Sequence, residues 1–150
     1  MIVSYWEYKS WLSNIDFTIV GSGIVGLNCA LNLKNRFPKA KILILEKGTF
    51  PQGASTKNAG FACFGSMSEL LSDLQSHSEE EVVELVNMRV EGLRQLRSLL
   101  GDKTIDFQKF GGYELFPNQG DLYEQCQENM TRLNSLLHPI FQEEVFSFVS

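Results

Sequence analysis

A chain of 150 residues can form one domain with a sizeable core, and 43% hydrophobic residues supply the material for it. The net charge is -5, and the lysines and arginines are scattered without a basic stripe or basic-aromatic interleaving, so no nucleic-acid partner is expected. Cys29, Cys63 and Cys126 lack Cys-x-x-Cys spacing and read as reduced, partly buried thiols of a cytoplasmic protein, while His77 and His138 stand far apart and suggest no metal site.

The start, "MIVSYWEYKSWL", has no basic segment followed by an apolar stretch and is not a signal peptide. Ser4 and Glu7 form an S-x-x-E capping box, which predicts a short helix over "YWEYKSWL". Its Tyr5, Trp6 and Trp11 are expected to pack on the fold as an aromatic lid. Membrane association is not expected, because the segment lacks the Lys/Arg-rich face of an interfacial helix. The longest apolar stretch, "FTIVGSGIVGLNCALNL", is interrupted by three glycines and two asparagines, which does not suit a membrane span.

Within that stretch "FTIV" (17 to 20) is dense in β-branched residues and predicts a strand buried on both faces. The helix that follows "GSGIVG" carries Leu27, Ala30, Leu31 and Leu33 near helical spacing and should stop at Pro38. "KILILE" (41 to 46) reads as a second buried strand. Strand, glycine turn, helix and strand make a βαβ unit, hence a parallel sheet.

Further on, Ser66 or Ser68 can cap a short helix through "ELLSDL". Ser78 opens a long one, led by three glutamates that suit the positive end of the helix dipole and stopped by Gly101. Val82, Val86, Leu93, Leu96 and Leu100 form its core stripe. "TIDFQKFGGYELF" (104 to 116) changes to a period near two about Gly111-Gly112 and predicts a hairpin or kinked strand. "PNQGD" reads as a turn, Asp121 as the cap of a helix through "LYEQCQENMTRLNSLL", His138-Pro139 as its end, and "IFQEEVFSFVS" as a final strand.

Gly21, Gly23 and Gly26 form G-x-G-x-x-G between the first strand and its helix, and Glu46 ends the next strand twenty residues past Gly26. Gly21 permits the tight turn, Gly23 lets a pyrophosphate approach the backbone, and Gly26 lets the helix lie close to the sheet. The N-H groups at the helix start, around Ile24 and Val25, would face the phosphates. Glu46 can accept hydrogen bonds from both ribose hydroxyls. Its charge would repel a 2'-phosphate.

After this fingerprint comes "GASTKNAGFACFGS" (53 to 66), a loop of small residues. Together with "DFTIVGSGIVGLNCALNL" and "ILILEKG", it resembles the D-amino-acid oxidase family of flavoproteins, which includes glycine oxidase, sarcosine oxidase and D-amino-acid dehydrogenases. The resemblance covers roughly the first 70 residues well and "FGGYELF" more loosely. It implies FAD as cofactor, and contacts from Gly21, Gly23, Ile24, Val25, Gly26, Glu46, Lys47, Ser55, Thr56, Lys57, Asn58, Ala59 and Gly60. Ser55 and Thr56 would offer hydroxyls, Lys57 would neutralise phosphate or hold a substrate carboxylate, and Asn58 would brace the loop through its own backbone. Phe61, Cys63 and Phe64 argue against a merely solvated loop.

The fold so implied is α/β, a Rossmann-like FAD/NAD(P)-binding domain with a parallel sheet over 1-103. The beginning of a mixed-sheet substrate domain follows over 104-150. The implied reaction is oxidation of an amine or amino acid by hydride transfer to flavin N5. No catalytic residue is assigned; Tyr113, at the entry to the substrate region, is the one candidate here for a substrate role, with packing the first expectation for it. The family returns to its flavin with a later segment, so the chain reads as an amino-terminal fragment completed by a carboxy-terminal part of the enzyme. The alternatives are an NAD-dependent dehydrogenase domain and a non-catalytic nucleotide-binding module.

Overall fold

The computed structural model describes residues 3–117 and 120–149. The middle of the expected "PNQGD" turn and the last residue of the expected final strand, Ser150, lie outside the described residues. The chain divides into two compact units, Met1–Phe61 and Ala62–Ser150.

The first unit is built on the βαβ pattern. Strands β1 (Phe17–Val20) and β2 (Ile42–Leu45) pair in parallel, Phe17 opposite Ile42 and Val20 opposite Leu45. Asp16 accepts the Lys41 N–H at 2.7 Å and aligns the strand entries. Helix α2 (Ile24–Arg36) connects the strands and packs on both. It ends just before Phe37, whose ring lies 5.4 Å from that of Phe17. Pro38, following at once, cannot continue it. The strands are not buried on both faces: Phe17 and Ile19 are half-buried, while Val20 is 85% exposed and Leu45 45%. Among the described residues the sheet has two strands. Alternation survives because α2 covers one face.

The capping box forms as expected. The Ser4 hydroxyl accepts the Glu7 N–H, the Glu7 carboxylate accepts the Ser4 N–H, and α1 (Tyr5–Glu7) widens into a π-type turn over Tyr8–Leu12. The aromatic lid is not found. Tyr5, Trp6 and Trp11 are exposed. The segment is held by polar bonds instead, with the Lys41 ammonium donating to the Ser10 and Ser13 carbonyls at 2.7 and 2.8 Å. Such a tether needs no aromatic burial.

The second unit is helical. Ser66 caps α3 (Met67–Asp73) and Ser78 caps α4 (Glu79–Leu100), each through a reciprocal box with the glutamate three residues on. Gly101 ends α4 at φ +79. Met67 and Leu70 of α3, Val82 and Val86 of α4, and Cys126, Leu133 and Leu137 of α5 (Asp121–Phe141) form its core. Of the expected α4 stripe, Leu93 and Leu96 are half-buried and Leu100 is exposed.

Three expectations fail here. No hairpin forms over 104–116: after a turn at 102–106 the backbone runs unpaired, with Phe110, Tyr113 and Leu115 exposed. Arg97 closes that turn with a two-pronged bond to Asp102 and sits over the Phe107 ring at 4.2 Å, so side chains take the place of a ladder. Helix α5 is capped by Gly120, with Asp121 already inside, and it continues through Pro139 to Phe141. Proline removes one donor only in the last turn, while Ile140 and Phe141 gain burial against the core. The closing segment is not a strand. Asn134, buried, takes the part of a partner strand, accepting the Val145 and Phe146 N–H groups at 3.1 and 3.0 Å and donating to the Phe146 carbonyl at 2.9 Å.

Leu133 is fully buried at the centre of this unit. Leu133→Ala should lower stability to urea, followed by circular dichroism, by about 2–5 kcal/mol, and a loss well under 1 kcal/mol would contradict the assigned core.

Candidate functional site

The site begins where β1 runs out. Gly21 adopts φ +97, a conformation strained for any side chain, and its N–H still reaches the Leu45 carbonyl at 2.7 Å. The chain can then turn sharply into α2. A Cβ on Gly26 would collide with the Gly21 carbonyl oxygen, so the first turn of the helix lies against the strand end only because that atom is missing.

Gly23 is the N-cap of α2 and has no side chain with which to cap it. The first intrahelical bond runs from Leu27 N–H to the Gly23 carbonyl at 3.0 Å. The earlier N–H groups therefore need other acceptors. That of Ile24 is met by the Ser55 hydroxyl at 2.9 Å, from a residue 31 positions along the chain. Those of Val25 and Gly26 meet no acceptor among the described residues. No acidic residue occupies this first turn, so the positive end of the helix dipole is left unneutralised.

Ser55 sits in a 3-10 turn (Ala54–Thr56) that its neighbours brace. The Thr56 hydroxyl donates to the Pro51 carbonyl at 3.1 Å. The Asn58 amide donates to the Ser55 carbonyl at 2.9 Å and accepts the Gly60 N–H at 2.7 Å. Asn58 thus braces the loop through backbone bonds, as its position suggested, whereas the Thr56 hydroxyl is turned onto its own loop. A Cβ on Gly23 would stand 3.1 Å from the Ser55 oxygen, so bare backbone in one turn admits the hydroxyl of the other.

Glu46, exposed at the end of β2, is the acceptor of the site. One carboxylate oxygen, Oε2, takes the Ser22 N–H at 2.9 Å and the Ser22 hydroxyl at 2.7 Å. The other, Oε1, takes the Lys47 N–H at 2.9 Å and, more distantly, the Gly48 N–H at 3.4 Å. The Ser22 hydroxyl first, then the Ser22 and Gly48 amides, hold the Glu46 carboxyl down to about 2 from the usual 4.5. It is a carboxylate at any physiological pH.

The structure thus gathers Gly21, Gly23, Ile24, Val25, Gly26 and Ser55 around one helix start, with Glu46 joined to it through Ser22. Ser22 was not singled out in the sequence, since the middle position of G-x-G carries no constraint that a pattern could register. Lys47, Lys57 and Ala59 are exposed beside these groups. Phe61 and Cys63 are exposed rather than packed, and of that trio Phe64 alone finds a core, within the second unit against Phe141 and Phe146. Tyr113 is 78% exposed instead of packed, on the unpaired run beyond Gly111-Gly112. All three cysteines are free, with Cys126 buried and Cys29 and Cys63 exposed.

Residues 16–145 match the DAO family, FAD dependent oxidoreductase, and the chain belongs to that family. FAD is accordingly its cofactor. The chain is also 34% identical over 80 residues to the FAD-binding monooxygenase ktnD of Aspergillus niger. That match takes in 50% of this chain and only 13% of the monooxygenase. No solved structure matches the chain significantly. The small parallel sheet with its crossing helix is the Rossmann-like α/β arrangement of such FAD domains. Membership in an FAD family decides against the NAD-dependent alternative. No helix among the described residues is long and apolar enough to cross a membrane.

The residues present fit the cofactor. Unsatisfied N–H groups at the uncapped start of α2 suit a pyrophosphate, and the exposed carboxylate of Glu46, joined to that start through Ser22, offers acceptors of the kind a ribose needs. Because the Glu46 carboxyl is depressed on folding, its contribution to stability is present above its ordinary value of 4.5 and is lost as pH falls toward 2. A carbon NMR titration of the glutamate carboxylates should find Glu46 with a midpoint near 2, and Ser22→Ala should move it up; a wild-type midpoint near 4.5 would rule the hydrogen-bond set out.

Proposed function

We propose that the two glycine-rich turns form one continuous cradle for FAD, and that the enzyme oxidises an amine or amino acid. The single observation that carries the cradle is the 2.9 Å bond from the Ile24 amide to the Ser55 hydroxyl. It joins the fingerprint to the small-residue loop within one compact unit. In this reading the Val25 and Gly26 amides receive the pyrophosphate. The Ser55 oxygen accepts from Ile24, which leaves its own hydrogen to donate to a phosphate oxygen. Glu46 takes the ribose hydroxyls, Lys47 flanks it, and the turn from Thr56 to Gly60 continues along the cofactor through main-chain groups. Lys57 supplies positive charge for a phosphate or for the carboxylate of a substrate.

When bound, FAD would supply the hydride acceptor for oxidation of the carbon beside the substrate nitrogen. The chain's own part is to bind, orient and exclude water. The amine or amino-acid donor, as in glycine oxidase and D-amino-acid dehydrogenases, is supported by the likeness of "GASTKNAGFACFGS" to that family. We assign 1–103 to the FAD portion and 104–150 to the start of the substrate-binding domain, with a further carboxy-terminal part of the enzyme gripping the substrate. The free cysteines support a cytoplasmic setting. A second reading, flavin monooxygenation, is favoured by the name of the Aspergillus relative.

Titration of the purified chain with FAD, followed by flavin fluorescence, should show weak binding that ADP displaces. Glu46→Ala should weaken it by about tenfold or more, and binding indifferent to ADP and to Glu46 would refute the cradle. Anaerobic mixing of the FAD-loaded protein with amines and amino acids, and separately with NADPH, then separates the two chemistries. Made on the enzyme with its carboxy-terminal part joined to this chain, bleaching by amines alone supports oxidation, bleaching by NADPH alone supports monooxygenation, and bleaching by neither refutes both.

A further inference from the structure

A carboxylate offers about four lone-pair positions, two on each oxygen. On Glu46 two of these are held by main-chain amides that cannot leave, Lys47 N–H on Oε1 and Ser22 N–H on Oε2, both at 2.9 Å. A ribose diol binding side-on needs the second position on each oxygen. On Oε1 that position is only loosely taken, by the Gly48 N–H at 3.4 Å. On Oε2 it is taken by the Ser22 hydroxyl at 2.7 Å, the shortest of the four bonds. The group in the way is an aliphatic alcohol, chemically the same donor as the ribose hydroxyl that would replace it.

We propose that Ser22 is an intramolecular competitor for the nucleotide. Its hydroxyl holds the place of one ribose hydroxyl on Glu46 and must rotate away before the adenosine can seat fully. This inference rests on the reading of Glu46 as the ribose acceptor. The exchange is feasible because Ser22 is only half-buried and Glu46 is exposed, so the displaced hydroxyl has water to bond. Its consequence is twofold. The free chain keeps the Glu46 carboxylate oriented without any ligand. The ribose hydroxyl that takes this place gains less on binding than it would at an empty acceptor, because it replaces an existing charge-assisted bond instead of adding one. Ser55 is different in kind. Its oxygen accepts from Ile24 and can keep doing so while its hydrogen donates to a phosphate, so it can serve the ligand without letting go.

The test uses the full chain and two probes, ADP and its 2',3'-dideoxy analogue, with affinities measured by calorimetry for wild type, Ser22→Ala and Ser22→Thr. Circular dichroism and the Glu46 carbon titration verify that each variant is folded and that the alanine variant has lost the bond. Ser22→Ala should bind ADP about three- to tenfold more tightly than wild type, with no gain for the dideoxy analogue, and Ser22→Thr should behave as wild type. Unchanged or weaker ADP binding by Ser22→Ala, or an equal gain with both probes, would overturn the proposal. A wild-type chain that binds both probes equally, or neither, would show instead that Glu46 does not receive the ribose, and the inference would fall with that reading.

Discussion

The start of α2 is a set of peptide N–H groups for which the local chain supplies nothing. Helices α1, α3 and α4 each carry a serine at the N-cap and a glutamate three residues later, and each satisfies itself. Helix α5 also begins at a glycine, but Asp121 and Glu124 in its first turn offset the dipole. Helix α2 has neither device. Its one satisfied early amide depends on Ser55, and through that bond the turn at 53–60 is held against the fingerprint. Adding a cap at position 23 would put a side chain where the Ser55 oxygen now lies. The exposed donors and the approach of the second turn are therefore two consequences of the same missing Cβ.

Glu46 balances this electropositive end. Its carboxylate is oriented by four donors that lower its pKa, with the Ser22 hydroxyl the largest influence. Anion-seeking amides and a hydroxyl-seeking carboxylate thus stand on neighbouring turns. That division of labour suits a ligand with a diphosphate in its middle and a sugar at one end, and FAD is such a molecule. The same geometry makes the ligand-free site partly self-satisfied, which keeps exposed polar groups from being left idle.

The second unit follows a different logic. Its helices bury a leucine- and valine-rich core, and side chains then secure the segments that lack regular structure. Arg97 fastens the turn after α4 through Asp102 and Phe107, and Asn134 fastens the residues after α5. Glu114 ties the unpaired run at 107–116 to the Ser68 amide and hydroxyl at the start of α3. These tethers explain why stretches with strand-like alternation in the sequence are ordered without becoming strands. Alternation tells which side chains share a face; it cannot supply the partner whose carbonyls and amides complete a ladder.

Much was decided by local chemistry and so could be read directly. The capping serines, the glycine turn, the parallel strand pair and the stop at Gly101 all depend on residues within a few positions of one another, or on a pattern short enough to recognise. At Pro139 and in the final segment, burial of Ile140 and Phe141 and the reach of Asn134 outweigh local preference. The aromatic start departs from its expected packing, and Lys41, far off in the chain, holds that segment by its carbonyls. By itself the sequence determined that a nucleotide fingerprint and a flavin-family loop are present, since both are runs of missing side chains, visible wherever they stand. Only the tertiary structure decided that Ser55 caps α2 and that Ser22 occupies Glu46. Those bonds span 31 and 24 positions, and no local rule selects one serine among many to meet a group so distant along the chain.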